Sequence, residues 1–241
     1  MNVYIWTSGV LKNAYIWEYI PWTPDASRTL LYLPLESNTN DYSGNNRTCT
    51  PTSVTFTTVG WVKSAHVWTT GWIAVTPTTF ITHSLSYKTT SCLIYCTDAT
   101  SSVRRPVWEF KIQNACWIWC SISPNSQNIQ GSIQETDWYD VPNVFVPNKW
   151  IHIVDTSWDG VHKIYINWEL KYTGNYSSWY AWGNRPNNYQ QSYTIMNTRY
   201  WPSASWTALN WNAREIIFEN ILWSDEDVSK YYQRIKAKLW F

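Results

Sequence analysis

Short strand-like runs are the feature that most restricts the folds open to this chain. Each run is rich in β-branched and aromatic residues, and clusters of Asn, Ser, Thr and Pro separate one run from the next. The clearest runs cover residues 30–35, 54–58, 91–96, 107–112, 150–156 and 163–168. Because no helical pattern lies between them, an antiparallel sandwich or barrel is predicted.

The hydrophobic period changes near the end of the chain. Ser224 precedes three acidic residues, which is typical of an N-cap followed by a first helical turn. Apolar residues then recur at helical spacing, at Val228, Tyr231 and Ile235. The pattern predicts one helix over residues 224–238, which we expect to cover one end or edge of the sandwich.

The start of the chain is predicted to be a separate unit. Residues 3–6 read VYIW and residues 14–17 read AYIW, which indicates two short strands joined by a turn. We therefore assign residues 1–27 to an N-terminal hairpin and residues 28–241 to the main domain. The hairpin is either an extra element of the domain or an attachment to a larger assembly.

Charge and hydropathy exclude two classes of partner. The sequence has 18 Lys and Arg against 17 Asp and Glu, a net charge of +1, so no basic surface for nucleic acid is expected. It also lacks an apolar run of the roughly 18 residues that a membrane-spanning helix needs. No nucleic-acid partner and no membrane span are predicted.

One pair of acidic residues has the spacing of a glycosidase site. Glu135 and Asp137 fall on one face of a strand-like segment, as the nucleophile and the acid/base do in sandwich-fold glycosidases. A loop containing Pro follows them, which favours solvated loop acids. The four histidines lack metal-ligand spacing, and no nucleophile motif is present, so the protein is predicted not to be an enzyme.

The five cysteines leave three states open. Cys92 and Cys96, like Cys116 and Cys120, are four residues apart and so share a strand face. On adjacent strands these four thiols could hold zinc or form cross-strand disulfides, although the CxxC spacing of structural zinc sites is absent. Buried free thiols are the third interpretation.

Three segments resemble concanavalin A-like, laminin-G-type jelly-roll domains. Residues 30–45 resemble their opening YYPLNGNANDYSGNG, residues 149–170 their WHHVAVTYDGSTLKLYVNGEL, and residues 214–232 their closing IDEVRIYNRALSAEEIAALY. The segments follow one another in the same order and span most of the chain. The resemblance implies an all-β, antiparallel jelly-roll β-sandwich with a short N-terminal hairpin and one C-terminal helix.

The resemblance also implies a candidate calcium site. Asp41 lies in the NDYSG turn, and hard oxygen ligands from such loops suit Ca²⁺. In the closing motif, Arg214 stands where the resembled domains have Asp, and Glu215 follows it. Asp41 and Glu215 are therefore the candidate metal ligands.

Tryptophan stands where the resembled domains have glycine. The chain has 20 Trp and 8 Gly; Trp168 occupies the Gly position of an Asn-Gly hairpin turn, and Trp211 follows Asn210 in a second predicted turn. Trp61, Trp68 and Trp72 fall in a region that is Gly-rich in those domains. We interpret such residues as UGA codons, read as Gly in certain bacterial lineages and their phages. The alternative is an aromatic-rich binding surface, and Trp22, Trp108 and Trp150 are expected to be true tryptophans.

The functional expectation also rests on the resemblance. Such domains occur on bacterial surface proteins and on phage virion or tail proteins, where they often recognise glycans. We expect a phage virion decoration or receptor-binding protein, on the virion or a cell surface, whose partners are a glycan or host-surface receptor. Residues 1–27 would contact other virion or appendage subunits. A bacterial surface adhesin or appendage subunit is the alternative.

Overall fold

The structure is a computed structural model. It describes residues 2–7, 10–15, 23–76, 87–97, 105–112, 116–123, 127–132, 138–158, 160–175, 192–196 and 211–239. The strands among them are β1 (Asn2–Thr7), β2 (Val10–Tyr15), β3 (Thr29–Leu33), β4 (Thr48–Val59), β5 (Val62–Thr76), β6 (Tyr87–Cys96), β7 (Arg105–Ile112), β8 (Cys116–Ser123), β9 (Asn128–Ser132), β10 (Trp138–Val141), β11 (Trp150–Trp158), β12 (Val161–Ile166), β13 (Glu169–Asn175), β14 (Ser192–Ile195) and β15 (Trp211–Glu219). One helix, α1 (Asp225–Leu239), follows the last of these strands.

The strands form two antiparallel sheets. The hairpin β1–β2 is a two-stranded sheet of its own. Thirteen strands form the second sheet in the order β10-β9-β8-β7-β14-β5-β15-β6-β11-β12-β13, with β3 paired to β15 and β4 paired to β5. The predicted all-β antiparallel sandwich with a short N-terminal hairpin and one C-terminal helix is confirmed.

The long sheet folds over so that its two ends meet. Tyr139 on β10 and Tyr172 on β13 contact each other with ring centroids 5.7 Å apart, although these strands lie at opposite ends of the strand order. The folded sheet encloses one apolar core. Its largest fully buried side chains include Trp211, Phe145 and Phe218.

Helix α1 covers the outer face of the sheet rather than an end or edge of the sandwich, which corrects the expectation from sequence. Alternating residues of β11 show the two faces: Ile151 and Ile153 lie in the main core, whereas Trp150 and Val154 pack beneath the helix. Every residue of β11 from Trp150 to Ser157 is therefore buried. No helix of the described residues is long and apolar enough to span a membrane.

The helix begins with the predicted cap. The Ser224 hydroxyl accepts from Asp227 N at 3.2 Å, and Asp227 Oδ2 accepts from Ser224 N at 2.9 Å. At the helix start these bonds satisfy two backbone N–H groups that have no partner inside the helix.

The predicted glycine-type turn is present at Trp168. Asn167 and Trp168, between β12 and β13, have φ of 49° and 74°, the left-handed pair that a two-residue type I′ hairpin requires. Trp211 is different, and its assignment to a turn was wrong. It opens β15 opposite Val67 and Cys96 and is fully buried, because its indole fills the core.

Candidate functional site

An aromatic pair with one exposed ring lies where β6 begins and β11 ends. Tyr87, at the start of β6, is the cross-strand partner of Trp158, at the end of β11. The Tyr87 side chain is 51% exposed, and Trp158 is half-buried. Alternation along β11 places Trp158 on the same face as Trp150 and Val154, which is the face that helix α1 covers.

The start of β12 and the start of α1 add charged groups beside this pair. Lys163 Nζ lies 5.7 Å from the ring centroid of Trp158, within cation–π distance. The same ammonium contacts Asp225 Oδ1 at 3.2 Å. The Tyr165 hydroxyl donates to that oxygen at 2.6 Å. We call these five residues, Tyr87, Trp158, Lys163, Tyr165 and Asp225, the platform.

Asp225 is held in its ionised form. The hydrogen bonds from Tyr165 and Lys163, together with the charge of Lys163, lower the pKa of its carboxyl below the usual value. Burial and the bond to Asp225 raise the pKa of the Tyr165 phenol, so that group remains a donor. Both side-chain donors use Oδ1, and the Asp225 side chain is 69% exposed, so Oδ2 faces solvent as an acceptor.

The platform has the chemistry of a binding surface for hydroxylated ligands. Aromatic rings pack against apolar C–H faces, a carboxylate accepts from hydroxyl groups, and an ammonium donates to ring or hydroxyl oxygens. A glycosidase needs a second available carboxylate. The two acids that follow Asp225 have other roles, because Glu226 pairs with Lys230 at 2.6 Å and Asp227 caps the helix. The arrangement favours binding over catalysis.

The candidate calcium ligand Asp41 is surrounded by protein donors. Its Oδ1 accepts from Tyr32 N at 3.1 Å and from Ser43 N at 2.9 Å. Its Oδ2 accepts from the Ser43 hydroxyl at 2.9 Å and from Arg47 N at 3.1 Å. These four bonds fix the turn that follows β3.

Glu215 does not share a site with Asp41. It is fully buried, and its carboxylate accepts from the hydroxyls of Tyr32 and Tyr231 at 2.8 and 3.1 Å and from Lys238 Nζ at 2.8 Å. Asp41 and Glu215 therefore bind opposite ends of Tyr32. The described residues contain no group of three or more His, Cys, Asp or Glu arranged to hold a metal ion.

The two strands that carry the cysteine pairs are not adjacent in the sheet. β6, with Cys92 and Cys96, pairs with β11 and β15, whereas β8, with Cys116 and Cys120, pairs with β7 and β9. Cys92 and Cys96 are buried in the main core on one face of β6, and Cys49 is half-buried beside that core. Burial raises the pKa of the Cys49 thiol to about 12. The side chains of Cys116 and Cys120 lie outside the described part of the chain.

Three histidines of the described strands are buried, and His66 contacts Asn212 Oδ1 at 3.1 Å. His152 on β11 contacts the Ser91 hydroxyl at 2.8 Å, and burial lowers its pKa to about 3. His162 contacts Asp155 at 2.7 Å, a pair that sequence spacing did not suggest. Both members of this pair are under 5% exposed, so surface ligands do not reach them. The proposed glycosidase pair, Glu135 and Asp137, lies outside the described residues.

Sequence reasoning did not identify the platform. Trp158 precedes the Asp-Gly of a predicted turn and Asp225 opens a predicted helix, but each was explained by local structure alone. The contact between Tyr165 and Asp225 joins residues 60 positions apart, and no periodic pattern reports such a contact.

Comparison with known proteins shows likeness of structure without likeness of sequence. No protein-family model matches the chain, and no curated protein matches it. A structure of botulinum neurotoxin type C, whose cell entry is described as dependent on two ganglioside molecules, is similar over 86% of this chain and 51% of its own, with a TM-score of 0.68 and 14% identity. The binding domain of botulinum neurotoxin DC, solved with rat synaptotagmin II, matches over 86% and 52%, with a TM-score of 0.67 and 15% identity.

The receptor-binding domain of botulinum neurotoxin D is similar to this chain to nearly the same extent. It matches over 86% of this chain and 53% of its own, with a TM-score of 0.65 and 15% identity. The chain thus spans about half the length of these binding domains. The likeness establishes a β-sandwich of the kind found in receptor-binding domains.

Proposed function

We propose that the protein is a non-catalytic binding protein that recognises a glycan, or a glycan-bearing receptor, through the platform. The observation that carries the proposal is the Tyr87–Trp158 pair, in which Tyr87 is exposed and Trp158 is half-buried, beside an ionised Asp225 whose Oδ2 faces solvent. The similarity to toxin domains that bind gangliosides and synaptotagmin supports a receptor-binding role for such a sandwich. The concanavalin A-like, laminin-G-type resemblance of the sequence supports the same role.

A glycan array with a matched pair of variants tests this function. Trp158→Ala removes one ring of the platform, whereas Trp61→Ala removes an indole that is 89% exposed in the β4–β5 turn. We expect the wild type and Trp61→Ala to bind the same glycans and Trp158→Ala to lose them, because each stacked ring contributes substantially to binding. Equal loss in both variants, or binding that persists in Trp158→Ala, would contradict a site at the platform.

The biological setting that we propose is a phage virion, with residues 1–27 as the attachment element. The separate two-stranded sheet of β1 and β2 supports an attachment role. A phage setting also explains Trp168, because UGA recoded as Gly would put glycine where φ is 74°. Trp158 is not affected by this argument, since the resembled domains carry an aromatic residue before their Asp-Gly turn.

Mass spectrometry of the native source tests the setting. We expect the tryptic peptide 164–171 from purified virions to carry Gly in place of Trp168. A tryptophan mass in a bacterial envelope fraction would favour the alternative, a surface adhesin or appendage subunit, and would remove both the recoding and the virion assignment.

A further inference from the structure

We infer that the platform selects uncharged pyranosides and discriminates against acidic sugars such as sialic and uronic acids. This inference rests on the proposed glycan-binding function and concerns the ligand class of the same site. It follows from how the charges of the platform are already paired.

The cation of the platform is already neutralised. Lys163 Nζ contacts Asp225 Oδ1 at 3.2 Å and lies against the rings of Trp158 and Tyr165. An acidic sugar would need this ammonium for its own carboxylate. It would have to share this ammonium with Asp225, which already offsets the positive charge and whose Oδ1 is also fixed by the Tyr165 hydroxyl at 2.6 Å.

The charges around the platform also oppose an anion. The first turn of α1 carries three carboxylates, those of Asp225, Glu226 and Asp227. Two ammonium groups face them, Lys163 beside Asp225 and Lys230 beside Glu226. One formal negative charge remains in excess, which the positive end of the helix dipole offsets only in part, and an acidic sugar would bring a second one within a few ångströms.

An uncharged sugar meets groups that are free to bind it. Asp225 Oδ2 accepts hydrogen bonds from hydroxyl groups, and the Lys163 ammonium has three donors, of which Asp225 uses one. The Tyr87 ring, which is half-exposed, gives the apolar face of a pyranose a surface to pack against. The ligand class is therefore a neutral pyranoside with an exposed C–H face and adjacent hydroxyls.

Calorimetric titration with paired oligosaccharides tests the inference. The probes are neutral oligosaccharides of galactose, glucose, mannose and N-acetylglucosamine, each compared with a sialylated or uronic-acid counterpart. We expect the wild type to bind at least one neutral member about tenfold more tightly than its acidic counterpart, or better, since a hydrogen bond to a charged group is worth at least that factor.

Asp225→Asn is the decisive variant, and Glu226→Gln on the same turn is its control. Asp225→Asn should lower the affinity for the neutral probe about tenfold, because it removes a charged acceptor. It should raise the affinity for the acidic probe, because it frees the Lys163 ammonium. Glu226→Gln should leave the affinity for the neutral probe unchanged and should strengthen binding of the acidic probe less than Asp225→Asn does, since its pair with Lys230 is exposed to solvent and screened. Unchanged melting curves establish that both variants are folded.

The outcomes separate the inference from the function on which it rests. If acidic probes bind as tightly as neutral ones or more tightly, and Trp158→Ala abolishes that binding, the inferred ligand class is wrong but the proposed binding function is supported. An absence of binding to every probe would overturn both. A preference for neutral probes that Asp225→Asn does not reduce would also overturn the inference, because the selectivity would then arise elsewhere.

Discussion

Glu215 should be among the most sensitive positions in the molecule, because it joins α1 to the sheet. Its carboxylate is fully buried and accepts from the hydroxyls of Tyr32 and Tyr231 and from Lys238 Nζ. Glu215→Gln keeps the volume of the side chain but removes its charge. The variant loses the ion pair with Lys238 and leaves an amide N–H₂ group to face a hydroxyl or ammonium donor.

The loss can be estimated from these contacts. A hydrogen bond to a charged group contributes about 1.5–3 kcal/mol, and removal of one partner of a buried pair costs about 3–5 kcal/mol. We expect Glu215→Gln to lower the free energy of unfolding by about 3 kcal/mol. For a domain of this size that loss corresponds to a fall in Tm of about 6–12 °C.

The effect should depend on pH in a defined direction. Burial alone would raise the pKa of Glu215, but Lys238, Tyr32 and Arg234 outweigh it and hold the pKa below the ordinary value of 4.5. A carboxylate with a lowered folded-state pKa stabilises the fold above its unfolded pKa, and this stabilisation is lost as the pH falls through the folded value. The difference in the free energy of unfolding between the wild type and Glu215→Gln should therefore have its full size at pH 7 and decrease below about pH 4.5.

Urea unfolding at pH 7 and at pH 3–4, followed by circular dichroism, measures both effects. Glu169→Gln is the matched control, since Glu169 pairs with Lys171 at an exposed site and should change stability by less than about 1 kcal/mol. The reasoning is refuted if Glu215→Gln lowers the free energy of unfolding no more than Glu169→Gln does. It is also refuted if the difference between Glu215→Gln and the wild type increases as the pH falls.

Three further predictions concern turns, buried histidine and metal. Trp168→Gly should raise the free energy of unfolding by about 1 kcal/mol in thermal melts, because the backbone φ at this position is 74°. Trp61→Gly should not raise it, because the backbone at Trp61 does not have a positive φ. A fall in stability for Trp168→Gly would contradict the strain argument. The wild type should lose stability as the pH falls from 6.5 towards 3, by up to about 1.4 kcal/mol per pH unit, because His152 binds a proton more readily in the unfolded chain than in the folded protein. If a His152→Gln variant loses stability equally steeply over this pH range, His152 is not the cause. EDTA should leave Tm unchanged because protein donors occupy both oxygens of Asp41, and a clear fall in Tm would instead support the calcium site expected from sequence.

The parts of the fold that the sequence predicted are those determined by nearby residues. The cap of α1 depends on Ser224 and Asp227, three positions apart, and both are visible in the sequence. The β12–β13 turn depends on Asn167 and the residue after it. The strand-like run over residues 163–168 also depends only on neighbouring residues, and in β12 it places Ile164 in the core and Tyr165 beneath the helix.

The contacts that the sequence did not predict depend on which donors the fold brings to each carboxylate. Glu215 was assigned as a ligand of a cation, and the structure places the ammonium of Lys238 against its carboxylate. Asp41 is a candidate calcium ligand from the sequence, and in the structure backbone N–H groups of its own turn and of β3 donate to its carboxylate. A carboxylate in a sequence indicates that positive charge or donors lie nearby, but it does not identify which donors the fold supplies.

The most direct test of the account is an NMR titration of ¹⁵N-tryptophan-labelled protein with the tightest glycan from the array. The Trp158 indole signal is assigned through Trp158→Phe, and Trp61 serves as the internal reference at a remote turn. The account predicts that the Trp158 signal shifts with saturation at the binding constant while the Trp61 signal stays in place. A Trp158 signal that does not move while the glycan binds would contradict a glycan site at the platform.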